Sequence, residues 1–138
     1  MNQVRDALRD HPLTIDIAQN LPPVAIDVVL MEQALVNLLE NAARHTPPGT
    51  PITVHAMRRD DALEIIVQDR GPGISPADLE RVFEKFYRGQ SSAAHGTGLG
   101  LSICKGLVEA HGGYLWAANL PSGGVRFTIH LPISQETL

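Results

Sequence analysis

The stretch DVVLMEQALVNLLENAARHTPPG (residues 27–49) is the longest run of helical spacing in the chain, and the rest of the fold is read outward from it. Asp27 is placed to cap the first turn, because its carboxylate can accept one of the backbone N–H groups left free there. Pro47-Pro48-Gly49 stops the helix, since proline has no N–H for the helical ladder. At about 100° per residue, Val28, Met31, Leu35, Leu38, Leu39 and Ala42 gather on one face, which is expected to be buried. Gln33, Asn37, Asn41 and Arg44 line the other face.

Downstream, Ile52–Met57 and Leu63–Asp69 alternate apolar and polar residues, the period of a half-buried strand. Arg70-Gly71-Pro72-Gly73 must turn. Ser75-Pro76-Ala77-Asp78 opens a short helix, with a capping hydroxyl and a proline at the first helical position. Residues 87–98 are small, polar and Gly-rich without period, which predicts a mobile loop. A helix over 99–111 stops at Gly112-Gly113. Strands over 114–118 and 125–131 are joined by a turn containing Pro121-Ser122-Gly123-Gly124. Upstream, Leu13, Ile15 and Ile17 read as a strand ended by Pro22-Pro23. Residues 1–11 read as the tail of an upstream linker, 12–133 as one domain and 134–138 as a C-terminal tail. Short turns between consecutive strands imply a mixed, mostly antiparallel sheet of about five strands, with about three helices on one face. The expected class is α+β, a two-layer α/β sandwich.

Composition narrows the function. A chain of 138 residues, 43% hydrophobic and 19% charged, suits one domain with its own apolar core. Its net charge of -4 argues against nucleic acid as partner, because no basic face is available to neutralise phosphates. The single Cys104 cannot form a disulfide within the chain and fits a reducing compartment. No apolar run reaches the roughly 20 residues of a membrane-spanning helix. The six histidines are scattered without zinc-ligand spacing, and no Gly-x-Ser-x-Gly elbow is present. Cys104, inside an apolar helix, reads as a packed thiol rather than a nucleophile.

Four constellations could carry chemistry. On the long helix Asn37, Asn41 and Arg44 share one face; amide oxygens suit a hard cation such as Mg²⁺ and the guanidinium suits phosphate. A solvated helix face is the plainer alternative. Asp69 ends the row Leu63, Ile65, Val67 on the core-facing side of its strand, where a carboxylate needs a donor. An adenine amine would serve, with Gly71 and Gly73 letting the backbone approach the base; a surface turn is the alternative. Gly96-Thr97-Gly98-Leu99-Gly100-Leu101 leads into a helix, where exposed amides and the helix dipole favour an anion, or where glycine merely caps a flexible loop. In Phe83-Glu84-Lys85-Phe86-Tyr87-Arg88, the two phenylalanines can pin a loop to the core and leave Lys85 and Arg88 facing a ligand.

Taken in order, these pieces resemble the boxes of the GHKL superfamily of DNA gyrase, MutL proteins, heat-shock chaperone ATPases and histidine kinases. NLLENAARHTP (37–47) resembles the N box, DRGPGI (69–74) the G1 box, FEKFYR (83–88) the F box and GTGLGL (96–101) the G2 box. The glycines of SGGVRFTIHLP (122–132) resemble the last G box. Any one motif is common; five in order are specific, and within the superfamily residues 13–132 resemble the bacterial sensor histidine kinases. The resemblance implies the Bergerat fold and the cofactors ATP and Mg²⁺. It makes Asn41 the Mg²⁺ ligand, supported by Asn37, and gives phosphate contacts to Arg44 and Arg88, with His45 beside the ribose or the phosphates. It sets Asp69 on the adenine amine, with Gly71, Gly73 and Ile74 at the base and Phe83, Lys85 and Phe86 along the site. It assigns Gly96, Thr97, Gly98, Leu99, Gly100 and Leu101 to the lid hinge and phosphate cradle.

Hydrolysing members of the superfamily carry a glutamate four residues before the metal asparagine; here that position is Asn37, and an amide is no base at neutral pH. Glu40 is the remaining acid–base candidate. The implied reaction is phosphoryl transfer to a histidine by Asn37, Glu40 and Arg88. A GHKL hydrolase or anti-sigma-type serine kinase, and a non-catalytic nucleotide sensor, are the competing readings. No acceptor-histidine motif is present, so the implied partners are a dimerisation and histidine-phosphotransfer domain of the same receptor and a response regulator. The parent would be a homodimer in the bacterial inner membrane, with this chain its cytoplasmic, monomeric fragment. Residues 10–24 and 109–132 most resemble the KdpD-type kinases that control potassium transport.

Overall fold

The computed structural model describes residues 8–19, 21, 26–84 and 100–133. Their elements follow in the order β1 (Leu13–Ile17), α1 (Val28–Arg44), β2 (Ile52–Arg59), β3 (Ala62–Asp69), α2 (Pro76–Leu79), α3 (Gly100–Ala110), β4 (Tyr114–Asn119) and β5 (Val125–Pro132). The five strands form one sheet in the order β1-β2-β3-β5-β4. β1 runs parallel to β2, as a strand returning through a helix can, and every other pair is antiparallel. The sheet is therefore mixed and mostly antiparallel, with three helices among the described residues, as the sequence implies.

Local chemistry sets the element ends. The Asp27 carboxylate accepts from the Leu30 N–H at 3.1 Å, and the Ser75 hydroxyl accepts from the Asp78 N–H at 3.2 Å with Pro76 in the first turn. β2 and β3 join through Asp60-Asp61, where Asp60 takes the left-handed φ of 55° that two-residue hairpins favour.

Residue parity decides what the sheet buries. Register aligns Leu63, Ile65 and Val67 of β3 with Leu131, Ile129 and Phe127 of β5, and Leu115 of β4 with Ile129. These form one core with Met31, Ala34, Leu38 and Ala42 of α1 and Cys104 and Val108 of α3. Fully burying a side chain such as Phe127 or Leu38 contributes roughly 1.5–3 kcal/mol. The opposite sheet face carries exposed Tyr114 and Trp116 and the buried Glu64. That carboxylate is satisfied by His130 Nδ1 at 3.0 Å and Arg59 Nε at 3.2 Å.

One detail of α1 departs from the pattern read above. Val28 is 71% exposed, and Leu35 and Leu39 are only half-buried. The buried stripe is Met31, Ala34, Leu38 and Ala42, and Val28 lies roughly 75° round the helix from its centre. Small Ala34, fully buried, permits the close approach of α3, whose Cys104 thiol donates to the Ala34 carbonyl at 3.4 Å.

Candidate functional site

The rotation that buries Met31 and Leu38 turns the polar residues of α1 onto the flank and outer face of the helix. Asn37 and Asn41 are half-buried there and Arg44 is exposed. Asn37 is fully engaged: its amide oxygen accepts from Gln33 Nε2 at 3.2 Å, and its Nδ2 donates to the Gly100 carbonyl at 3.3 Å. It therefore ties α1 to the start of α3. The side-chain amide of Asn41 makes no hydrogen bond within the described residues, which leaves its oxygen available to a ligand. Glu40 lies 3.8 Å from Arg44, one helical turn on.

At the end of α1, the His45 N–H closes the helix on the Asn41 carbonyl at 3.1 Å. The imidazole is held below its ordinary pKa, first by desolvation and then by the charge of Arg44, with Asp69 pulling the other way. Thr46 follows, its hydroxyl donating to the Ala42 carbonyl at 2.8 Å.

Asp69 ends β3 on the core side, only 5% exposed. Its Oδ1 accepts the backbone N–H groups of Gly71 at 2.9 Å and Val125 at 3.4 Å. Its Oδ2 has no hydrogen-bond partner among the described residues, yet it is not sealed from solvent. Burial raises the carboxyl pKa, while the two backbone donors, His45 and His11 work against that shift. An open acceptor on a desolvated carboxylate suits a neutral or weakly acidic N–H donor such as an exocyclic amine.

The turn after Asp69 packs this closely against its neighbours only because glycine fills it. A Cβ on Gly71 would stand 2.5 Å from the Thr46 γ2 methyl and 3.2 Å from Asp69 Oδ1, so the end of α1 and the end of β3 meet at this residue. Gly73 has φ +84°, and a Cβ there would meet Asn119 Oδ1 at 2.9 Å. The Gly124 backbone packs directly on the Asp69 carbonyl. Asn119 brackets Ile74 from both sides, accepting its N–H at 2.9 Å and donating to its carbonyl at 2.7 Å.

Phe83 packs edge-on against Phe127, ring centroids 6.1 Å apart, and Lys105 stands 5.4 Å over its ring. This places Phe83 as the anchor of the segment that follows α2. Gly100 opens α3, and Leu101 packs against the core. Lys85, Phe86, Arg88, Gly96, Thr97, Gly98 and Leu99 lie outside the described residues.

The structure therefore brings His45, Asp69, Gly71, Gly73 and Ile74 to the junction of α1 with β3. Asn41 lies one helical turn before His45, and Asn37 is tied to Gly100 at the start of α3. Three residues at this junction were not singled out from sequence. Thr46 and His11 carry no local signal beyond polarity. Asn119 precedes a Pro-Ser-Gly-Gly turn, but its partner Ile74 is 45 positions away.

Amide oxygens on the half-buried flank of α1 suit a hard cation, and a strand-end carboxylate with one open oxygen suits an amine donor. Residues 26–135 match the family described as histidine kinase-, DNA gyrase B- and HSP90-like ATPases. The sensor protein KdpD of Escherichia coli (strain K12) is 38% identical over 122 residues, covering 88% of this chain and 14% of that protein. The adaptive-response sensory kinase SasA of Synechococcus sp. (strain CC9311) is 40% identical over 130 residues, covering 92% of this chain and 34% of that protein. The solved mycobacterial sensor histidine kinase MprB superposes with a TM-score of 0.83 at 33% identity, covering 95% of this chain and 89% of that one. The chain belongs to this ATPase family and, within it, to the ATP-binding catalytic domains of histidine kinases. It spans about a third or less of either curated relative.

Proposed function

We propose that the chain transfers the γ-phosphoryl group of ATP to a histidine on a separate dimerisation domain of the same receptor, which passes it to a response regulator. The observation that carries this reading is Asp69: a buried carboxylate with one oxygen held by two backbone donors and the other open. The amide of Asn41, unpartnered among the described residues and one helical turn before His45, supports it. In this scheme Asp69 Oδ2 accepts from the adenine amine, and Gly71, Gly73 and Ile74 line the base. Asn41 would hold Mg²⁺, which would draw charge from the phosphate oxygens. Asn37, both of whose amide groups are engaged, positions the start of α3 and cannot activate water, which favours transfer over hydrolysis. In the same reading Arg44 and His45 flank the phosphates, and Glu40, which pairs with Arg44, is the acid–base candidate for the acceptor.

Residues 1–11 are the tail of the linker from the acceptor helices, 12–133 the catalytic domain and 134–138 a terminal extension. The parent is a homodimer anchored in the bacterial inner membrane, and this piece is its monomeric cytoplasmic domain. No helix among the described residues is long and apolar enough to cross a membrane. A potassium-responsive parent of the KdpD type is supported by the likeness of residues 10–24 and 109–132. SasA is matched as closely, so the identities do not favour the KdpD type over it.

The test supplies the chain with a separate acceptor-helix domain and γ-labelled ATP. Label appearing on the acceptor in an acid-labile, base-stable form is the expected result. Steady release of ADP without an acceptor would replace the reading with a hydrolase.

A further inference from the structure

The segment through which the chain enters the domain is bonded at three successive residues to the loop after α1 and the first residue of β2. The Asp10 carbonyl accepts from the Gly49 N–H at 2.6 Å, and the Pro12 carbonyl from the Ile52 N–H at 2.8 Å. Between them His11 is buried, with Nδ1 of its ring 3.0 Å from the Thr50 carbonyl. A carbonyl only accepts, so Nδ1 carries the proton. The same Nδ1 lies 3.5 Å from Thr46 Oγ1. Because the Thr46 hydroxyl hydrogen already goes to Ala42, its oxygen can meet the imidazole N–H only as an acceptor.

Thr46 is thus held from two directions, and in a β-branched residue fixing Oγ1 also fixes the γ2 methyl. That methyl fills the space a Cβ on Gly71 would need, and Asp69 Oδ1 borders the same point. Oδ1 in turn accepts from the Gly71 N–H. His11 is also close enough to Asp69 for the two to interact electrostatically. A path of successive contacts therefore runs from the entry segment through Thr46 and Gly71 to the carboxylate.

We propose that His11 and Thr46 are positioning residues of the nucleotide site, through which the entry segment sets how Asp69 meets the base. This rests on the adenine reading of Asp69 and extends it: a change in the segment leading from the acceptor helices reaches base recognition through Thr46 and Gly71. Neither residue touches the nucleotide. Both act on the Asp69–Gly71 turn.

The experiment uses the 138-residue chain, with ATP and GTP affinities measured by calorimetry well below each variant's Tm. Thr46→Val keeps the shape of the side chain and removes the hydroxyl. His11→Ala removes the ring, and His11→Asn restores an N–H near the position of Nδ1. Thr46→Val and His11→Ala are expected to weaken ATP on the order of fivefold and to narrow its preference over GTP by a similar factor, the worth of one neutral hydrogen bond. His11→Asn is expected to recover most of the loss. A lowered Tm with an unchanged ATP-to-GTP ratio would make these residues a loop clamp and overturn the proposal. Should His11→Ala not fold, Thr46→Val and His11→Asn decide alone. Asp69→Asn, measured alongside, separates the two ideas: if it too leaves the ratio unchanged the adenine reading fails, and if only it moves the ratio the positioning path fails.

Discussion

Asp69→Asn isolates the chemistry of one oxygen. In the wild type, Oδ1 takes the Gly71 and Val125 N–H groups, and an asparagine oxygen can take the same two. The turn and the start of β5 keep their bonds. What changes is the open Oδ2, which becomes an NH₂ that donates where adenine also donates. Loss of a hydrogen bond to a charged group costs about 1.5–3 kcal/mol, so ATP affinity should fall about tenfold to a hundredfold and the preference over GTP should shrink. Stability should move the other way. Burial raises the Asp69 pKa above the ordinary carboxylate value, so across that interval the folded chain holds more protons than the unfolded chain. The stability of the wild type contributed by this group therefore falls as pH rises through the window, and is recovered as pH falls. A neutral amide carries no such term. At neutral pH the variant's Tm should equal or exceed that of the wild type, with the gap closing in acid, where the wild type should also lose ATP as Oδ2 protonates. Calorimetric titrations and thermal melts over a pH series read both. Wild-type ATP selectivity in the variant would refute the adenine contact. A Tm several degrees lower at neutral pH would show instead that the charge holds the turn.

Two further substitutions bear on the rest of the molecule. Asn41→Ala removes an amide with no partner among the described residues and improves helix propensity by about 0.5 kcal/mol, so Tm should hold or rise slightly. The Mg²⁺ dependence of ATP affinity should vanish, as titrations with and without the metal would show, and its survival would mean that the helix flank holds no cation. Cys104, fully buried with its thiol pKa pushed up to about 12 by desolvation, should resist a disulfide reagent at mildly alkaline pH until urea unfolds the chain. Rapid labelling of the folded protein would contradict the packing of α3 on α1.

Element by element, the sequence determined what depends on neighbours within a turn or two. Asp27 and Ser75-Pro76 announce helix starts, Gly112-Gly113 a helix stop, and alternation along Leu63–Asp69 a strand whose last core-facing residue is a carboxylate. The Asn37–Asn41 flank and Asp69 were legible for that reason. Periodicity placed the buried stripe of α1 less well, because large Val28 outweighs small Ala34 in any hydrophobic pattern, whereas close helix packing selects the small residue. Tertiary structure alone decided that β5 inserts between β3 and β4, bringing Val125 and Gly124 onto Asp69. It alone set Thr46 against Gly71, Asn119 around Ile74 and His11 beneath the end of α1. Those contacts join residues 25 to 56 positions apart, where no local preference reaches; which strands pair, and in what register, determines them once the core has closed.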